Sequence, residues 1–303
     1  MNKDLVVALT CLIAGGALLG ISTNVGKYAG TVGLTPLAFV FWSITGAALL
    51  LLAMAVIRRQ PPPITKRSIE YYLIAALVSV AGSNLIFFSA IPKVGASFVA
   101  LTITLPPLLT YLGALLLKME RFDPLRALGV VSALSGAGVL AANKLSAPNA
   151  STFWILIALC GPVLLAIGNL YRTLRWPTNA SPSALAPGML VAAAIQLGMV
   201  SLLPNFSLSL PNQDSLVLMR SLAIIGLQAC IFAAQFQILF MLQKAGGPVL
   251  LSLLGSIAAL FAVPIAIFLQ GELPPEGLAL GATLIALGVI LVTWGGIRKP
   301  VMK

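Results

Sequence analysis

Lys93-Val94-Gly95 and Lys244-Ala245-Gly246 open two stretches of this sequence that read alike. From Lys93 an apolar run leads to Glu120, then Gly129 and Gly136. From Lys244 another leads to Glu272, then Gly281 and Gly288. The two lysines stand 151 residues apart, and the acids and both glycines 152. Upstream, Gly15 and Pro36 recur as Gly161 and Pro182, each 146 residues on. Two related halves in an apolar chain point to a binding site at the interface between repeats.

The chain is 59% hydrophobic and only 8% charged, against about 25% charged in a soluble domain. So little polar surface cannot cover a water-soluble fold, and lipid is the alternative solvent. There the backbone satisfies itself in helices or in a closed barrel. Strict alternation of apolar and polar residues is absent, so the expectation is an all-α integral membrane protein. Ten apolar runs fit spanning helices of about 20 residues: Leu5–Gly26, Leu34–Ile57, Tyr71–Ile91, Gly95–Leu117, Pro124–Ala142, Phe153–Leu174, Ala184–Leu203, Val217–Leu242, Gly247–Leu269 and Pro275–Ile297. The first reads as a span and not as a cleavable leader. Arg58-Arg59-Gln60-Pro61-Pro62-Pro63 cannot continue a helix, because proline lacks the amide donor. Residues 146–152 read as a linker between a first five-helix repeat (1–145) and a second (153–303).

The net charge of +11 is not the footprint of a nucleic-acid binder, because the cations gather at span ends. With ten spans, 14 of the 18 Lys and Arg fall on the face that carries the N terminus; Lys27, Lys93, Lys144 and Arg220 fall on the other. The positive-inside rule then puts both termini in the cytoplasm. Five spans per half is an odd number, so the second half enters the membrane upside down. The expected architecture is ten transmembrane helices as two inverted five-helix repeats, a fold that can open one site to either side in turn.

The acids Asp4, Glu70, Glu120, Asp123, Asp214, Glu272 and Glu276 all fall at termini or in loops, and histidine is absent. A proton relay through the bilayer usually uses an intramembrane carboxylate or histidine, so uncoupled or weakly coupled transport is expected, with Glu272 the candidate should a proton be handled. The same inventory offers no catalytic dyad and no metal site. No enzyme activity, cofactor or metal is expected. Cys11, Cys160 and Cys230 lie far apart within apolar runs and read as small buried hydrophobes.

What remains inside is neutral and polar. Asn84 and Gln235 are repeat counterparts, 151 residues apart; Gln228 lies two helical turns before Gln235, and Ser83 beside Asn84. Asn24 and Asn169 stand 145 apart. An amide left uncompensated in hydrocarbon costs several kcal/mol. These groups therefore either line a pathway and bind a polar substrate, or hydrogen-bond between helices. Tyr111, Phe87 and Trp42 are candidates to receive a substrate side chain or to pack in the core. Tyr71, Tyr72, Trp154 and Trp294 read as interface anchors. Pro106-Pro107 and Pro264 interrupt spans four and nine; paired gates or bent packing helices both fit. Gly15-Gly16, Gly20, Gly136-x-Gly138 and Gly295-Gly296 are assigned to close helix packing.

Across nearly its full length the chain resembles the drug/metabolite transporter superfamily, on its ten spans, its inverted halves and the Glu-led fifth span with Gly129 and Gly136 matched by Gly281 and Gly288. Within it the chain is similar to EamA-type bacterial exporters, and most to those of aromatic amino acids in the bacterial inner membrane. The resemblance implies export of amino acids such as phenylalanine, tyrosine and tryptophan, with other small metabolites, from a basket of helices around a central cavity. The expected partners are a small-molecule substrate and the lipid bilayer, with the chain acting as a monomer. A neutral zwitterion can be solvated by amides, hydroxyls and helix-end dipoles without a buried counter-ion. A nucleotide sugar would need basic residues deep in the spans, where this reading finds none. Multidrug transport within the superfamily, or a channel, are the alternatives.

Overall fold

A computed structural model describes residues 3–94, 102, 105–142, 151–211, 214–270 and 277–298. Among the described residues every regular element is helical. They are α1 (Lys3–Thr31), α2 (Pro36–Ile57), α3 (Lys66–Ala76), a π-helical turn (Leu77–Ala81), α4 (Gly82–Val94), α5 (Pro106–Leu116), α6 (Pro124–Ala142), α7 (Thr152–Leu174), α8 (Pro182–Val200), α9 (Ser215–Ser252), α10 (Leu254–Gln270) and α11 (Leu278–Arg298). Among the described residues six helical segments are long and apolar enough to cross a bilayer, with Pro106–Leu116 and Ala279–Gly295 as shorter apolar helices. Glu272, Glu276, residues 95–101 that open the expected fourth span, and most of the 146–152 linker lie outside the described residues.

Local chemistry sets the helix starts. Thr35 and Ser181 cap α2 and α8 by accepting from the amides of Ala38 and Ala184, each with proline at the next position. Proline there loses nothing, since a first-turn amide has no intrahelical partner. Thr65 and Ser68 form a reciprocal capping box at α3, and Asp214 caps α9. Pro106 and Pro107 begin a helix in the same way: they occupy the first turn of α5, after Leu105 donates to the Thr102 carbonyl at 3.0 Å. The pair thus follows a break and does not bend a continuous span. A similar break separates α9 from α10, where Leu253 donates to Leu250 at 3.2 Å, while Pro264 lies inside α10. The expected boundary between spans eight and nine falls at Gly247, where α9 kinks with φ 72° and ψ −177°. An L side chain is strained there, and glycine is not.

Neighbouring helices pack at backbone distance. On α6 and α11, Gly129 faces Gly288 and Gly136 faces Gly281, so these two run antiparallel. Ser132 donates to the Leu284 carbonyl between them at 2.8 Å. α2 also runs antiparallel to its neighbour α8. Trp42 near the start of α2 donates to Leu208 beyond the end of α8, and Gln60 after α2 accepts from Ser183 at the start of α8. α1 lies along α9, with Gly15 against Ile238. α7 lies along the π turn and α4, with Gly161 against Phe87 and Gly168 against Ser79. Gly16 and Gly20 of α1 press on Ile257 and Ala258 of α10. Gly138, in contrast, meets open space, so only the first glycine of Gly136-x-Gly138 makes a close approach.

Candidate functional site

Among the described residues one cation is fully buried. Arg172, in the last turn of α7, is 1% exposed. Its Nε donates to Gln243 Oε1 on α9 and its Nη2 to Asn169 Oδ1 one turn back, both at 2.8 Å. Gln243 Nε2 in turn donates to the Asn169 carbonyl at 3.0 Å and to Thr173 Oγ1 at 2.8 Å. Asn169 Nδ2 reaches Thr110 Oγ1 on α5 at 3.5 Å. Tyr71 on α3 lies within electrostatic reach of the guanidinium and stacks on Tyr171, ring centroids 6.1 Å apart. Four helices, two from each side of the 146–152 linker, meet at this node.

The node orients the arginine without neutralising it. Its acceptors are neutral amide oxygens, and among the described residues no carboxylate pairs with it. Nη1 is buried without a hydrogen-bond partner, as is the Tyr71 hydroxyl. The carbonyl end of α7 favours a cation by about 0.3–1 kcal/mol. Removing an ion from water costs several kcal/mol even after relaxation. The dipole alone therefore does not explain the burial, and an intramembrane charge in this condition marks a functional position by default.

Against known proteins, a solved crystal structure superposes on this chain with a TM-score of 0.73, covering 98% of each chain at 17% identity. That likeness establishes the fold alone. No curated protein matches the sequence. The EamA-like transporter family matches residues 6–142. Through those residues, just under half of its length, the chain is similar to the EamA-like transporter family. That match and the long apolar helices support a multi-pass membrane protein that transports small molecules.

Within this EamA-like chain the residues singled out from the sequence divide by what they touch. Asn84 uses its Nδ2 on the Val80 carbonyl at 2.8 Å, inside the π turn that Gly82 accommodates. Beside it the buried hydroxyls of Ser79 and Ser83 lack partners. Gln235 and Gln228 are buried on α9, each with its Oε1 unpaired; Gln228 Nε2 meets Ser22 on α1 at 2.5 Å. No hydrogen bond joins Asn84 to Gln235 among the described residues. Gln235 stands eight residues before Gln243, about 12 Å along the helix axis. The amides and the arginine node are thus separate places along one interior. Asn169 belongs to the node. Asn24 instead ties α1 to α10 by donating to the Gly20 and Ala262 carbonyls.

Three aromatic candidates are engaged elsewhere. The Tyr111 hydroxyl donates to the Asp123 carbonyl at 3.2 Å and accepts from its amide at 3.1 Å, clamping the loop before α6. Trp42 faces outward, its indole holding the α8–α9 loop. Phe87 fills the space that Gly161 leaves. Tyr71 and Tyr72 are buried rather than interfacial, the latter donating to the Pro63 carbonyl. Cys160 and Cys230 are exposed on the outer face, and only Cys11 is buried. Glu120, at the head of the fifth span, pairs with Arg126.

Arg172 itself is the correction of most consequence, because the sequence reading set it among the cations flanking the membrane. A signal was present. Asn169-x-x-Arg172 repeats Asn24-x-x-Lys27 at the same 145-residue offset, and a spacing of three puts both polar groups on one helix face. Lys27 is exposed where Arg172 is buried, so composition alone could not distinguish them.

Proposed function

We propose that this protein exports amino acids, aromatic ones foremost, and related small metabolites across the bacterial inner membrane by alternating access. Its ten spans form two inverted five-helix halves, residues 1–145 and 153–303, with both termini in the cytoplasm. The observation that carries this reading is the reciprocity of the α6–α11 contact. Gly129 faces Gly288 while its repeat counterpart Gly281 faces Gly136, and Ser132 meets Leu284, the residue 152 positions on. A contact of that kind is what a two-fold axis between related elements produces. The antiparallel runs of α2 and α8 support the same axis. So do the contacts Gly15–Ile238 and Gly161–Phe87, whose members stand 146 and 151 residues apart.

Inverted halves can exchange conformations, which lets one interior site face either side in turn. The buried amides and hydroxyls of Asn84, Ser83, Gln228 and Gln235 would line the route, and the breaks before Pro106-Pro107 and at Leu253, with Pro264 inside α10, would let spans four and nine flex. Purified protein in liposomes loaded with unlabelled L-phenylalanine should take up labelled L-phenylalanine saturably, with no proton gradient imposed. Flux that never saturates, accompanied by unitary currents, would identify a channel instead.

A further inference from the structure

We propose that Arg172 is the anion-binding residue of the transport site. In this assignment its unengaged Nη1 and the Tyr71 hydroxyl receive the carboxylate of the substrate, while Asn169 and Gln243 act as positioning residues. The inference rests on the amino-acid reading above and names which end of the substrate is recognised.

The argument begins with what the guanidinium still lacks. Two of its nitrogens are held by neutral amide oxygens, and the third is buried without a partner. Those bonds fix the plane of the group, as a site must be fixed before a ligand arrives. They leave its positive charge uncancelled. Arginine offers a planar pair of donors matched to a carboxylate. The second unengaged group in the node, the Tyr71 hydroxyl, supplies a donor for the remaining lone pairs. Among the described residues Arg172 is the one buried cation, so a single negative charge balances the node. A phosphate dianion would leave an excess charge in the interior.

The node also joins α3, α5, α7 and α9, so a ligand seated in it touches both halves at once. Binding there can favour one arrangement of the halves over another, which is the condition for a ligand to drive a conformational change.

The test uses the whole protein, wild type and the variants Arg172→Gln and Arg172→Lys, with L-phenylalanine, L-phenylalaninamide and 3-phenylpropionate as probes. In counterflow, wild type should prefer L-phenylalanine to the amide by about 10- to 100-fold in half-saturating concentration. Arg172→Gln should bring the two together, chiefly through KM. Arg172→Lys, which keeps the charge but loses the fork, should fall between them and also serves should the glutamine variant fold poorly. Thermal stabilisation by 3-phenylpropionate should occur in wild type and vanish in Arg172→Gln. Preference for L-phenylalanine that survives in both variants overturns the assignment and leaves the transport reading standing. Arg172-dependent stabilisation by 3-phenylpropionate without phenylalanine flux sinks the amino-acid reading and keeps the anion site. Neither signal in wild type sinks both.

Discussion

Replacing Gln243 by leucine lowers the stability of the folded protein by about 3 kcal/mol, and replacing Arg172 as well restores much of the loss. Gln243 Oε1 is the acceptor for Arg172 Nε, and its Nε2 ties the node to Asn169 and Thr173. Leucine is close in size, so the loss is not one of volume. It strands a buried cation with one fewer acceptor, and an uncompensated charge costs more than the interaction that satisfied it contributes. Arg172→Met in the Gln243→Leu background removes the stranded charge, so the double variant should unfold at a higher temperature than Gln243→Leu alone. Thermal unfolding of the four purified proteins in one detergent closes the cycle. Additive effects would show that the arginine and the glutamine act independently, contrary to the geometry.

Gly136→Leu is the second large effect. A methyl group at Gly136 would lie 2.5 Å from the Gly281 carbonyl oxygen and 2.8 Å from the Ile285 nitrogen. Both are backbone atoms, which cannot rotate aside as a side chain can. The helices must separate, and overpacking on this scale costs about 3 kcal/mol. Gly138→Ala, two residues away with nothing within 4 Å, should instead be neutral or stabilising by up to about 1 kcal/mol, since alanine favours helix. Melting temperatures that rank the two variants in the opposite order would contradict the close packing of α6 on α11.

Those two glycines show where sequence reasoning succeeds and where it stops. The repeat offset marked Gly129, Gly136, Gly281 and Gly288 as related, and they meet one another. Spacing could not tell that Gly136 is pressed against a neighbour while Gly138 is open, because that depends on the rotation of two helices about their axes. The membrane class was legible, since apolar run length is a local property; the Thr35, Thr65, Ser181 and Asp214 caps act locally too, but the sequence reading did not name them. The interior was less legible. Tyr111 is drawn away by a loop carbonyl, Trp42 by a neighbouring turn, and Phe87 by a glycine in another helix, all long-range contacts. Arg172 was misread for a related reason. A cation near a span end normally reaches the aqueous boundary, and what turns this one inward is an acceptor 71 residues away on α9.

The central claim is that two related halves insert in opposite senses, and loops related by the repeat test it most directly. Pro61, between α2 and α3, and Ser207, between α8 and α9, are both exposed. In a background with Cys11, Cys160 and Cys230 replaced by alanine, Pro61→Cys and Ser207→Cys are each challenged in intact cells with a membrane-impermeant thiol reagent. The account predicts labelling of Ser207→Cys from outside and of Pro61→Cys only after the membrane is opened. Both cysteines reacting from the same side would contradict it.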